Sequence, residues 1–361
     1  MAKSLQQVLG WTPLTKAIKA TTSGIPQPLP ESFMKEGTKF PGISGKYRRT
    51  TGERRTVPLS KWGSPSRKLN LRDMGEVDVR LLHTFNNHTF DALLFSNLQK
   101  LESYELDMAF DEVKRQTEEA ARRYANTRTA ATLMVLNNGI LYWDGDGDLL
   151  PSSSGSTESH SFQMNANNQN QLNSIITASW ALTNTDIPLQ LRNLKQRAWQ
   201  LTGFPLKYAF YGVNVPSYMS QNNYVLDYLS RNPAMNAKYL ESDHGEIPNG
   251  LFGLQWVPCY ESFYEDADGT NQEIWGDDEV VFTPEPDDTW WEILQGGFRI
   301  PTTLGPTSDA VSAIQSTKLV HGTFAYAGIT MDPPQILHYH GDTFLPSLKN
   351  PDVIYQADVT P

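Results

Sequence analysis

The residues of this chain best suited to chemistry sit late in the sequence, in the run LHYHGD. If that run is a strand, His338, His340 and Asp342 share one face, because side chains alternate with a period of two. Two imidazoles and a carboxylate on one face are a donor set for a transition metal. They serve equally well in packing or in a subunit contact. His83 and His88 lie five positions apart in another strand-like run, with nothing adjacent in sequence to complete a metal shell. They read as ordinary strand residues.

Three other groups invite a chemical reading and fall short of one. Asp144, Asp146 and Asp148 match the first ligands of a calcium loop, but the sixth position is not Gly and Gly155 stands where a bidentate Glu is required. The run reads as an exposed hairpin tip. Glu261, Glu265, Asp266 and Asp268 beside Tyr260 and Tyr264 are what a glycosidase cleft presents, and equally what a solvated acidic turn presents. Cys259 is the single cysteine, which excludes an internal disulfide and a cysteine-based zinc site. No Gly-rich phosphate loop, GxSxG elbow, HExxH or CxxC occurs. A non-enzyme is expected, with no catalytic residue, cofactor or metal assigned.

Charge is unevenly placed. The net charge is −10 over 361 residues, yet residues 1–72 hold fourteen Lys and Arg against three acids. The densest part, residues 46–72, has nine basic residues and one acid, with Gly52, Pro58, Gly63 and Pro65 among them. That composition predicts a two-stranded basic loop meeting something acidic, and a second copy of this acidic chain is the nearest candidate. Single-stranded nucleic acid fits less well, since only Tyr47 and Trp62 could stack on bases.

The elements that must position these residues begin with a long spine. Asp91 to Arg128 contains neither Gly nor Pro, and Leu94, Leu98, Leu101, Tyr104, Met108, Val113, Ala120 and Tyr124 recur at helical spacing. Asp91 is a suitable N-cap, and at 1.5 Å per residue the helix would reach roughly 55 Å. Before it, residues 1–45 are rich in Pro and lack a period, which predicts an extended arm with one short helix at most, ordered by outside contacts. Residues 76–90 alternate as a strand with a turn at Asn86–Asn87.

After the spine, Asn137 to Gly139 turn the chain into a strand at Ile140 to Trp143, and residues 151–173 form a polar loop. A helix follows from Ile187, capped by Asp186 and stopped at Gly203, then a strand at Lys207 to Tyr211 and a helix near Ser217 to Leu229. Leu251 to Tyr260 and Ile274 to Thr283 are predicted to pair as one long hairpin with an acidic tip. Further strands are expected at Phe324 to Ile329, at Gln335 to Tyr339 and near the C-terminal end. The N-terminal stretch lacks a continuous apolar run and no segment approaches a membrane span, so a cytoplasmic protein with no membrane partner is expected.

That order of parts resembles the major capsid proteins of tailed bacteriophages of the Hong Kong 97 type, most closely the lambda-like branch, major capsid protein E. The resemblance is carried by NNGILYWDGDG, by WALTNTDIPLQLRNLKQRAWQLTGFPLKYAFYG and by VPSYMSQNNYVLDYL. It implies an α+β fold with an N-terminal arm (1–45), an extended loop (46–90), a peripheral domain with spine helix and hairpin (91–173), an axial domain (174–316) and C-terminal strands returning to both domains (317–361). It also implies self-assembly into hexamers and pentamers that form an icosahedral head around double-stranded DNA, assembled in the host cytoplasm. A separate scaffolding protein, a portal and a decoration protein would be partners. Arg48, Arg49, Arg54, Arg55, Trp62, Arg67 and Lys68 would carry the contact between the extended loop and a neighbouring subunit. A cellular encapsulin-type shell is the alternative within that fold, and a carbohydrate-active enzyme is the alternative outside it.

Overall fold

The computed structural model describes residues 11–24, 29–49, 75–90, 103–144, 148–156, 158–162, 164, 176, 178–241, 246–259, 263–265, 271–301, 317–331 and 334–360. The first element is a helix, α1 (Trp11–Gly24), which turns Leu14, Thr15 and Ile18 inward. It packs on the spine helix and on a late strand, and Thr15 Oγ1 donates to the Ala325 carbonyl at 2.8 Å. The N-terminal segment is therefore docked on its own chain here. A 3-10 turn at Glu31–Met34 drives Phe33 into the core, where it meets Tyr208, Phe210, Trp290 and Trp291 edge-on. Strands β1 (Glu36–Lys39), β2 (Ser44–Arg49), β3 (Gly75–Arg80) and β4 (Leu82–Phe90) follow, with β2 and β3 antiparallel from Ser44↔Arg80 to Arg49↔Gly75.

The expected turn at Asn86–Asn87 is absent, because β4 runs straight through both residues. Asn86 pairs with His340 and Asn87 with Tyr339 in a nine-residue ladder. Cross-strand pairing outweighs the local preference of Asn for a turn.

The spine helix α2 is described from Ser103 to Asn138, and the proposed cap at Asp91 lies outside the described residues. Its middle is half in solvent, braced by exposed pairs such as Arg123 with Glu119 at 2.8 Å. From Arg128 to Asn137 every residue is buried, so this part passes through the interior rather than along it. Gly139, at φ +63°, ends the helix and donates its N–H to Val135. A small sheet of β5 (Ile140–Trp143), β6 (Leu149–Leu150) and β7 (Glu158–Ser161) follows, with β5 in the centre.

Helix α3 (Ile187–Thr202) has the predicted caps: Asp186 Oδ1 accepts from the Leu189 N–H at 2.9 Å, and Gly203 sits at φ +80°. Strand β8 (Leu206–Tyr211) leads to three short helices, α4 (Val215–Gln221), α5 (Asn223–Arg231) and α6 (Pro233–Glu241), where one helix ending before Pro233 was expected. Asn222 makes the break. Its Oδ1 accepts from the N–H groups of Tyr224 and Val225, while its Nδ2 donates to the Thr185 carbonyl at 2.8 Å. Pro233 then opens a further helix, a position that suits its missing N–H. Asn222→Ala removes a buried cap and a tertiary bond together, and is expected to lower unfolding free energy by about 2 kcal/mol in urea titrations.

The remaining strands are β9 (Gln255–Pro258), β10 (Phe263–Glu265), β11 (Asn271–Glu273), β12 (Glu279–Pro284), β13 (Trp291–Gln295), β14 (Gly297–Pro301), β15 (Thr317–His321), β16 (Phe324–Met331), β17 (Pro334–Leu348) and β18 (Tyr355–Asp358). Two sheets organise the molecule. One joins β1, β13, β17 and β16, with β4 also paired to β17; the other has the order β18-β12-β8-β9.

The long hairpin expected between the strands near 251–260 and 274–283 does not form. β8, parallel to β9 and antiparallel to β12, separates the two, and among the described residues between them the short β10–β11 pair closes as a hairpin. The physical reason is that this sheet is apolar on both faces. Tyr208, Phe210, Val257 and Val281 face the core shared with the spine helix, whereas Ala209, Tyr211, Trp256, Val280 and Phe282 face α3, α4 and α5. A strand so placed needs neighbours on both edges. Trp291–Gln295 pairs within the first sheet, and β18 forms an edge of the second.

Candidate functional site

The groups with the greatest chemical potential meet where α2 crosses β17 and β4. His338, His340 and Asp342 do share one face of β17, as the alternation predicts. They are not one donor set, because Asp342 is taken by Arg128 from the spine helix. Arg128 Nε lies 2.5 Å from Asp342 Oδ2 and Nη2 lies 2.8 Å from Oδ1, a two-pronged pair with Asp342 fully buried and Arg128 nearly so. Nη2 also donates to Thr323 Oγ1 at 3.1 Å, and the guanidinium lies over the Phe344 ring. Burial opposes the charge on Arg128, but the adjoining Asp342 more than offsets it and holds the pKa above its ordinary value.

The two histidines have a different partner, one that the sequence reading set aside. His88 of β4 stands directly across from His338 in the ladder. Its Nε2 lies 3.3 Å from His338 Nδ1 and its Nδ1 lies 3.2 Å from His340 Nε2. His340 Nδ1 in turn lies 2.6 Å from the hydroxyl of Tyr124 on α2. His88 is thus the middle of a chain of rings rather than an ordinary strand residue. His83 is not part of it; it faces the other side of the sheet, 2.8 Å from Thr343 Oγ1 and stacked near Phe298.

Burial, followed by the charges of its two neighbours, pushes the His338 pKa down to about 3; burial pushes His340 down to about 4. The nitrogens face one another in series and do not converge on a point. Among the described residues no group of three or more His, Cys, Asp or Glu is arranged to hold a metal ion.

A second charged seam joins β13 to the end of β17. Glu292 Oε1 lies 2.7 Å from Lys349 Nζ, and Glu292 Oε2 accepts from the Thr38 N–H at 3.2 Å. A cavity of about 430 Å³ opens beside it, lined in part by Lys46, Arg48, Asp288, Glu292 and Lys349.

Of the residues singled out on the basic loop, Arg48 and Arg49 end β2, whereas Arg54, Arg55, Trp62, Arg67 and Lys68 lie outside the described residues. The positive strand is partly answered within its own chain. Arg48 pairs across the ladder with Glu76 and Lys46 with Asp78, and Lys46 Nζ lies 3.3 Å from Asp78 Oδ1. These groups are exposed, so the pairs add little to stability.

Asp148 N–H donates to Asp144 Oδ1 at 2.9 Å across the tip that resembled a calcium loop, and residues 145–147 lie outside the described residues. Glu261, Asp266 and Asp268 are outside them as well. Cys259 is buried. Among the described residues no helix is long and apolar enough to cross a membrane.

The Arg128–Asp342 pair and the ring series escaped the sequence because their partners are more than two hundred positions apart. The available signal was the same-face spacing of His338, His340 and Asp342, which marks a polar stripe on an otherwise apolar strand.

Comparison with known proteins agrees with this architecture. The profile of the family described as phage major capsid protein E matches residues 10–296. No curated protein matches the chain. A phage-related protein from Bordetella bronchiseptica RB50 superposes with a TM-score of 0.52 at 10% identity, covering 94% of this chain and 95% of that one. The candidate capsid protein of an E. coli CFT073 prophage gives 0.47 at 15% identity over 79% of each chain. The mature capsid subunit of bacteriophage PhiM1 gives 0.42 at 10% identity, over 90% of this chain and 86% of that one. With a profile match over most of its length, the chain belongs to the phage major capsid protein E family.

Proposed function

We propose that this phage capsid protein assembles with copies of itself into hexamers and pentamers that close an icosahedral head around double-stranded DNA in the host cytoplasm. A separate scaffolding protein, a portal and a decoration protein are its expected partners. The extended loop within residues 46–90 reaches a neighbouring subunit through Arg48, Arg49, Arg54, Arg55, Trp62, Arg67 and Lys68 as its contact residues, while its last strand, β4, stays paired with β17 of its own chain. The arm, peripheral and axial divisions expected from the sequence describe the same subunit.

The observation that carries this reading is the placement of exposed apolar side chains. Among the described residues, Leu182, Leu189, Tyr224, Leu226 and Leu240 stand in solvent on or beside the helices that flank the second sheet, with Leu240 78% exposed. Fully burying an exposed leucine is worth about 1.5–3 kcal/mol, and covering the half that most of these side chains leave in solvent is worth about half of that. A subunit that ends in a packed shell can cover them; a solitary one cannot. The charge asymmetry adds orientation, since a basic loop laid on an acidic neighbour attracts it in a salt-dependent way.

The test is co-expression with the scaffolding protein and electron microscopy of the particles. Closed shells are expected from the unaltered chain. Leu189→Asp with Leu226→Asp should fold with an unchanged circular dichroism spectrum yet weaken pairwise association roughly thirtyfold, at about 2 kcal/mol for a lost apolar anchor. Monomers alone from the unaltered chain, with scaffold present, would sink the proposal. Full shell yield from the double variant would remove the apolar helices as the contact that matters.

A further inference from the structure

The series Tyr124, His340, His88 and His338 ties the middle of the spine helix to the seam between β4 and β17. We propose that it is an acid-released latch, closed while the rings are neutral and opened when the series takes up two protons. The inference does not depend on the shell reading, because it concerns a contact within one chain.

The number of N–H donors on the rings decides which protonation states keep the series closed. A neutral imidazole has one N–H and one lone pair, and a cationic one has two N–H groups and no acceptor. Three links in series, from Tyr124 oxygen to His340 Nδ1, from His340 Nε2 to His88 Nδ1 and from His88 Nε2 to His338 Nδ1, are all satisfied by three neutral rings pointing the same way. One added proton can also be held. With the charge on His88, that ring donates in both directions, and His340 turns to donate to the Tyr124 oxygen. A second proton has no such solution. Wherever two cations sit, one link faces N–H against N–H. The ring centres are only 4.8 to 5.6 Å apart, so the two charges also repel at close range.

The surroundings do little to relieve that repulsion. From α2, Glu112 and Glu119 favour a charge on His88, with Gln116 bonding to it, while Arg123 opposes one on His340. On β17, Asp342 is already engaged by Arg128. On β4, Thr84 and Asn86 bond to Tyr124 and carry no charge. On β16, Ala325 and Ala327 stand opposite His340 and His338. From α1, the charge of Lys19 acts on Asp342 rather than on the rings.

The sign follows from linkage. His338 and His340 titrate near 3 and 4 in the folded chain, against an ordinary 6.5 when unfolded. Below about pH 6.5 the unfolded or released form therefore binds more protons, and stability falls as pH falls. Both rings contribute to the loss down to about pH 4, and His338 alone down to about pH 3. Across that window each ring lowers the closing constant about tenfold per pH unit, and the two together about a hundredfold.

The test is hydrogen exchange of the α2 backbone between residues 112 and 128 in the full chain, at pH 7.0 and pH 5.0, corrected for the intrinsic rate. Protection is expected to fall by a hundredfold or more on acidification. In His88→Gln with His340→Gln the dependence should shrink to about tenfold per pH unit. If that variant does not fold, histidine titration by NMR in the unaltered chain serves instead, with two rings expected to remain neutral below pH 5 and one of them to vanish in His340→Gln. Equal protection of α2 at both pH values, or titration of every histidine near 6.5, would overturn the latch. Increased protection on adding zinc at neutral pH would also overturn it, by making the rings a metal site.

Discussion

Asp342→Ala is expected to destabilise the chain by about 3–5 kcal/mol, measured by urea unfolding at neutral pH. The substitution leaves Arg128 buried, charged and without the carboxylate it grips at two points. Thr323 can accept one of its N–H groups but cannot neutralise it. Removing both charges together tests the cause. Arg128→Met with Asp342→Leu should recover most of the loss, because a buried ion pair gains little over an apolar pair of similar volume. If the single and double variants were equally unstable, shape rather than charge would hold this seam. Glu119→Ala is the contrast, since its partner Arg123 is exposed and the change should be within about 0.5 kcal/mol.

Phe33→Ala is expected to cost about 3–5 kcal/mol, the usual range for deleting a buried aromatic ring. Phe33 is fully buried and touches four aromatic rings edge-on, and its carbonyl accepts from the Trp291 indole N–H at 2.9 Å. It is also one of the points at which the Pro-rich N-terminal segment is fastened to the core, α1 being another. Loss of stability should therefore be accompanied by faster proteolysis around residues 29–49. Stability lost with no change in cleavage there would mean that the segment is held elsewhere, by α1.

The sequence carried the local structure well and the long-range pairing poorly. The caps of α3 were readable because Asp186 and Gly203 act on neighbours a few positions away. The spine was readable because its apolar period is sustained, and the fold class because the order of parts is distinctive. The straight run of β4 through Asn86 and Asn87 was not, since its cause lies some 250 positions further on, in β17. The same holds for the insertion of β8 between β9 and β12, where the misleading sign was adjacency in sequence. As for the site, the polar stripe of β17 was visible, but Arg128 looked like one more cation on an amphipathic helix. Nothing local distinguishes it from Arg122 or Arg123, which are exposed. What differs is that the helix has by then entered the interior, and depth is a tertiary property.

The placement of β17 and β18 has a consequence for synthesis. β17 joins β13, β16 and β4, and β18 forms an edge of the other sheet, so both sheets wait on residues translated last in this sequence. Until they emerge, β4 and β12 each lack a partner that they will need, and the nascent chain exposes strand edges. Long-range pairing of this kind closes slowly. Each sheet therefore closes only after its late strand has been made, which orders folding in time: β4 and β12 wait with an open edge until β17 and β18 pair with them.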